Sequence, residues 1–220
     1  MKQLLFFSIL VFLWSCTKQE KRETITTVID LPYYSDAQLN AVWYDDNDPL
    51  LDKLHRITDF SFYNQDGKIV TNETVEGKIY VTNFFFSICP NVCPKMTKNL
   101  HRVQNEFITN DRVMILSHTV MPWVDSVGRL NEYAKLNDIN SSRWHLLTGK
   151  KEDIYSIART SYFADEGFGK SITSNEDFLH TESIILIDQN RHIRGVYNGT
   201  IPLDISRLID DIHYLLEKST

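Results

Sequence analysis

Apolar positions along this chain switch repeatedly between two periods. Phe60 and Phe62 alternate with Ser61, the polar run Asn64-Gln65-Asp66-Gly67 follows, and Ile69 and Val70 return, which predicts a β-hairpin with a tight turn. Residues 78–86 are β-rich and almost continuously apolar at their end, the pattern of a central strand covered on both faces. Met96, Leu100, Val103 and Phe107 then recur at helical spacing. The same pattern predicts a strand over 113–116, a helix carrying Val127, Leu130, Tyr133, Ala134 and Leu136, a short strand over 145–149, and a helix carrying Ile154, Ile157, Ala158 and Tyr162. Residues 183–187 and 193–197 predict a second hairpin, turning at 188–190. Ile205, Leu208, Ile209, Ile212, Leu215 and Leu216 predict a terminal helix. Strands alternating with helices and closing in a hairpin plus helix imply an α/β fold, with a central mixed sheet flanked by helices.

The first residues follow neither period. Lys2 precedes an apolar run over 4–14 that only Ser8 interrupts, too short to span a bilayer comfortably. It ends in Leu13-Trp14-Ser15-Cys16, which resembles a bacterial lipobox: an aliphatic residue at −3, a small one at −1, then the cysteine that takes lipid. The expectation is a signal peptide over 1–16 with Cys16 lipidated, placing the protein in the bacterial cell envelope with its domain in the periplasm. Charged residues follow at once. Residues 17–56 are expected to be a tether and then, over 31–54, an irregular arm packed on a single domain at 57–220.

Composition agrees with one globular unit: 42% hydrophobic and 12% aromatic residues. The formal net charge of −6, with no Lys/Arg-rich stripe, argues against nucleic acid as a partner.

The candidate chemistry lies in Cys89-Pro90-Asn91-Val92-Cys93-Pro94, directly after the central strand and before a helix. Cysteines at i and i+4 share one face of a helical turn. A helix N-terminus favours the thiolate, and Pro94 suits a first helical turn, where an N–H is not needed. A thiol pair where a central strand hands over to a helix is the thioredoxin-like arrangement. Two converging thiolates suit a soft metal such as Cu(I) or cycling between dithiol and a Cys89–Cys93 disulfide. Zinc would want a fourth ligand that is not evident. The Thr-x-x-Cys pattern of a peroxidatic cysteine is absent. For a third copper ligand the residues leave two histidines open. His180 ends the loop before the strand at Ser183, and His118 sits at the end of the strand over 113–116. His55, His101, His192 and His213 read as solvated side chains.

The run Tyr80-Val81-Thr82-Asn83-Phe84-Phe85-Phe86 followed by the cysteine motif resembles the Sco/SenC family of copper-binding, membrane-anchored thioredoxin-like proteins. Asp59-Phe60-Ser61-Phe62 with Asp66-Gly67, Trp144-His145-Leu146-Leu147-Thr148-Gly149, His180-Thr181 with Leu186-Ile187-Asp188, and Arg194-Gly195 with Tyr197-Asn198-Gly199 extend the resemblance from about Ile57 to the C-terminus. It implies copper, Cu(I) or Cu(II), held by Cys89, Cys93 and His180. It also implies delivery to the cytochrome c oxidase subunit that carries the Cu(A) site, with periplasmic thiol reductants or copper donors as further partners. The other reading is a thiol–disulfide oxidoreductase in which Cys89 attacks and Cys93 resolves. One departure stands out. Family members carry an acidic residue before the proline at Pro122, where this chain has Met121, a packing residue or a soft thioether near copper; Asp125 is retained.

Overall fold

The computed structural model describes residues 30–45, 47–164 and 181–218. Cys16, the tether over 17–29 and His180 lie outside them. The described chain enters through two short strands, β1 (Tyr33–Tyr34) and β2 (Ala41–Val42), then a 3-10 turn at Leu51–Lys53. The arm is therefore not wholly irregular. β1 pairs antiparallel with β2 and, through Tyr34↔Ile193, with a strand near the other end of the sequence.

The predicted first hairpin is β3 (Ser61–Tyr63) with β4 (Ile69–Thr71), in the register Phe62↔Val70. Its turn works as its residues dictate. The Asn64 side-chain oxygen accepts from the Asp66 and Lys68 amides, and Gly67 takes the left-handed φ of 73° that side chains disfavour.

The remaining elements are β5 (Ile79–Phe85), α1 (Val92–Glu106), β6 (Val113–Thr119), α2 (Val127–Leu136), β7 (Trp144–Leu147), α3 (Lys151–Thr160), β8 (Ser183–Ile187), β9 (Ile193–Asn198) and α4 (Pro202–Lys218). Seven strands form one sheet in the order β2-β1-β9-β8-β5-β6-β7. β5, β6 and β7 run parallel, joined by helices, whereas β8 is antiparallel to both β5 and β9. This is the mixed, helix-flanked sheet that the alternating pattern implies.

Every residue of β5 and β6 is buried, as expected for strands covered on both faces. Alternation divides them between two cores. Ile79, Val81 and Phe85 face α1, α2 and α4, while Tyr80 and Phe84 face the β3–β4 hairpin and α3. Met96, Leu100 and Val103 on α1 are essentially inaccessible, and each such burial is worth about 1.5–3 kcal/mol. Two stripe positions end elsewhere. Leu136 is 84% exposed at the last turn of α2, and Tyr162 is fully buried but past the end of α3. Among the described residues no helix is long and apolar enough to cross a membrane.

Arg194 on β9 fastens the arm. Its guanidinium donates to the Pro32 and Leu31 carbonyls at 3.0 and 2.7 Å, pairs with Asp188 at 3.2 Å and Asp30 at 3.3 Å, and lies 3.8 Å over the Tyr33 ring.

Candidate metal and redox site

β5 ends at Phe85, and the chain turns through 86–91 into α1, which places Cys89 on the turn and Cys93 in the first helical turn. Both are free thiols, 8% and 5% exposed, set among the residues of the core under α1. The Cys93 amide points at Cys89 Sγ at 3.4 Å. The turn is closed by the Cys89 amide donating to the Phe86 carbonyl at 3.2 Å.

Position separates the two sulfurs chemically. Burial alone would push the Cys89 thiol up, but amides of Cys93, Asn91 and Val92 at the open end of α1 point at its sulfur, and the balance lies below the ordinary value. Cys93 lies deeper. Burial pushes its thiol up to about 12, the neighbouring Cys89 adds to the rise, and the Phe86 amide offsets only part of it. Cys89 is thus the ready thiolate and Cys93 the reluctant one.

Tyr133 of α2 closes one side of the pair. Its ring lies 5.6 Å from that of Phe85, and its hydroxyl is 3.0 Å from Thr97 Oγ1, one helical turn beyond Cys93. Burial raises its phenol, and the field of the two sulfurs raises it further. The helical pattern had marked Tyr133 only as a core position.

His118 is not at this site. β6 continues to Thr119 instead of stopping at Leu116, so His118 is a strand residue opposite Phe84 and faces the core away from the thiols. Rings of Phe60, Phe62, Phe84 and Tyr162 surround it. Neither of its ring nitrogens has a hydrogen-bond partner, and burial lowers its pKa to about 3. His192 is also not a solvated turn residue. It is buried, with Nδ1 3.0 Å from the His55 carbonyl and its ring edge-on to Tyr33. His55 is part-buried against the Ser161 carbonyl at 2.8 Å, His101 packs edge-on to Trp144, and His213 pairs with Glu106 at the surface.

His180 lies outside the described residues. The described chain resumes at Thr181 and enters β8, whose Ile184 pairs with Asn83 near the end of β5 that leads into the thiols. Among the described residues no group of three or more His, Cys, Asp or Glu side chains could hold a metal ion.

Along the sequence Asp125 stands out only as a residue that the family pattern retains. Here it is fully buried behind the thiol turn, where Ser87 and Thr119 bond to its carboxylate. The loop also holds Met121, half-buried, with its amide 3.1 Å from Thr119 Oγ1, and Trp123, which is exposed under the Lys151 ammonium.

Comparison with known proteins agrees with this geometry. The SCO1/SenC family model matches residues 50–217. A SCO1 protein homologue from Bacillus subtilis is 28% identical over 162 residues, covering 72% of this chain and 81% of the relative. The crystal structure of a SCO1/SenC family lipoprotein from Bacillus anthracis superimposes with a TM-score of 0.62 at 30% identity, over 74% of this chain and 95% of that one. A structure of Arabidopsis thaliana ScoI with copper bound gives 0.55 at 25% identity, over 73% and 98%. A family profile spanning most of the chain, over a thioredoxin-like sheet that presents a paired thiol at the first helix, is decisive: the chain belongs to the SCO1/SenC family.

Proposed function

We propose that this protein is a lipid-anchored copper chaperone of the bacterial envelope. Cys16 carries the anchor, the tether lets the domain reach a membrane-embedded partner, and Cys89, Cys93 and His180 bind copper for delivery to the Cu(A) site of cytochrome c oxidase. The observation that carries this reading is the convergence of two buried sulfurs at the open end of α1. Two thiolates suit Cu(I), and an imidazole added to them suits Cu(II) as well. The pairing of β8 with β5 supports His180, because it brings the start of β8 to the sheet end that bears the thiols. The relative from Bacillus anthracis is described as a lipoprotein and that from Arabidopsis thaliana as copper-bound, which supports the anchor and the cargo.

Metal capture displaces the Cys93 proton, since only the thiolate ligates. Release then proceeds by ligand exchange with thiolates of the recipient. The test is elemental analysis and absorption spectroscopy of the reduced protein after copper loading. One copper per chain is expected. Cys89→Ser or Cys93→Ser abolishes tight binding, and His180→Ala weakens it by more than the ~10–100-fold typical of a lost outer partner. Unchanged affinity in the His180 variant would remove that residue from the site.

A second reading, a thiol–disulfide oxidoreductase acting on an envelope partner, draws on the division between the thiols: a ready Cys89 to attack and a protonated Cys93 to resolve. Rapid turnover of a model disulfide by a protein that binds no copper would favour it.

A further inference from the structure

Asp125 is a carboxylate with no exposed surface, and an ion in that position is costly unless donors surround it. The donors it has come largely from the peptide that carries the thiols. The Ser87 amide donates to Asp125 Oδ2 at 3.1 Å, and the Ser87 hydroxyl donates to Oδ1. Arg129 Nε, 3.9 Å from the same carboxylate, donates to Ser87 Oγ at 2.9 Å. Thr119 at the end of β6 donates its hydroxyl to Oδ2, and Thr148 after β7 donates to the Asp125 carbonyl at 2.8 Å. One residue therefore ties the ends of β6 and β7 and the start of α2 to the turn after β5.

The neighbours of Ser87 bear directly on both sulfurs. The Phe86 amide reaches Cys93 Sγ, and the Phe86 carbonyl accepts from the Cys89 amide. The 86–87 peptide carries both the Ser87 amide that Asp125 holds and the Phe86 carbonyl that accepts from Cys89, so its rotation would release the attachment of Cys89. We propose that Asp125 is a positioning residue for the thiol pair: through Ser87 it holds the 86–89 turn in the one arrangement that aims both sulfurs at a single ion. The proposal rests on the copper-binding reading of that pair.

The test compares Asp125→Asn, Ser87→Ala and Thr119→Val in the full chain, by copper affinity, by the sulfur-to-copper charge-transfer band of the Cu(II) form, and by the reduction potential of the Cys89–Cys93 disulfide. Ser87→Ala and Thr119→Val each remove one hydroxyl donor from the same carboxylate, but only the first touches the thiol turn. Asp125→Asn is expected to weaken copper ~10–100-fold, the range for groups that orient ligands, with a shifted band. Ser87→Ala is expected to move both in the same direction, and Thr119→Val to leave both as in the wild type. Equal losses in Ser87→Ala and Thr119→Val would reduce Asp125 to a general fold contact and overturn the proposal, as would unaltered bands in Asp125→Asn and Ser87→Ala. Should Asp125→Asn fail to fold, the Ser87 and Thr119 pair decides. Should the wild type bind no copper, the chaperone reading falls and the disulfide potentials decide positioning: a shift in Ser87→Ala without one in Thr119→Val supports it, and identical potentials overturn it.

Discussion

The two cysteines differ by one helical turn in sequence and by a large margin in acidity. Amides at the open end of α1 reach Cys89, whereas Cys93 is already inside the core and its thiol is pushed up to about 12. Alkylation of the reduced protein near pH 7, followed by peptide mass spectrometry, is expected to label Cys89 first and leave Cys93 almost untouched. Preferential labelling of Cys93 would reverse the assignment. Two buried imidazoles make a second prediction. Burial holds His118 at about 3 and His145 at about 4, both below the ordinary histidine value of 6.5. In acid the unfolded chain takes up these protons first, so stability is complete above pH 6.5 and declines as pH falls from there toward 4 and 3. Urea midpoints at pH 7 and pH 4.5 check this. His118→Phe, matched to the four rings around that site, is expected to shrink the acid loss, and an undiminished loss would clear His118 of the effect.

Each strand of this sheet owes its place to its two faces. β9 shows how tightly: a methyl group on Gly195 would meet the Tyr197 ring at 2.6 Å, and that ring is held in place by its hydroxyl's 2.6 Å bond to Asp211. Gly195→Ala therefore forces Tyr197 off its seat against α4. The expected cost is about 1–3 kcal/mol, the range for overpacking a filled interior, read as a lower urea midpoint. A neutral result would mean that the ring shifts freely. On β6, three further residues of strand beyond Leu116 decide the fate of His118, because inward and outward positions alternate and strand pairing with β5 leaves no choice of face. Along the sequence the apolar run ends at Leu116, where polar Ser117 and His118 follow. Ser117 is in fact buried, donating to Asn83 and accepting from Trp144, so its polarity marked an internal bond and not a strand end.

The molecule as a whole is closed at one edge by its own N-terminal arm. Arg194 and Asp188 are both nearly inaccessible, and the guanidinium also holds the Leu31 and Pro32 carbonyls. Arg194→Met removes the cation and leaves the Asp188 carboxylate buried without it. The expected loss is about 3–5 kcal/mol, as when one partner of a buried pair is deleted. Proteolysis should then cut first within the arm over 31–44, and an arm that resists digestion would place its attachment elsewhere.

The order of helices and strands from β3 to α4, the hairpin turn at Asn64 to Gly67 and the thiol motif were readable along the chain, because period, turn chemistry and cysteine spacing are properties of neighbouring residues; the two short strands of the arm were not. The family resemblance rested on the same local signals. What folding added are contacts between distant residues: Ser87 with Asp125, Arg194 with the carbonyls of the arm, and the face on which His118 lies. A carboxylate in a loop looks like any solvated side chain until sheet order brings a distant amide to it. Likewise a histidine at a strand's end has no known face until the register with its neighbour is set.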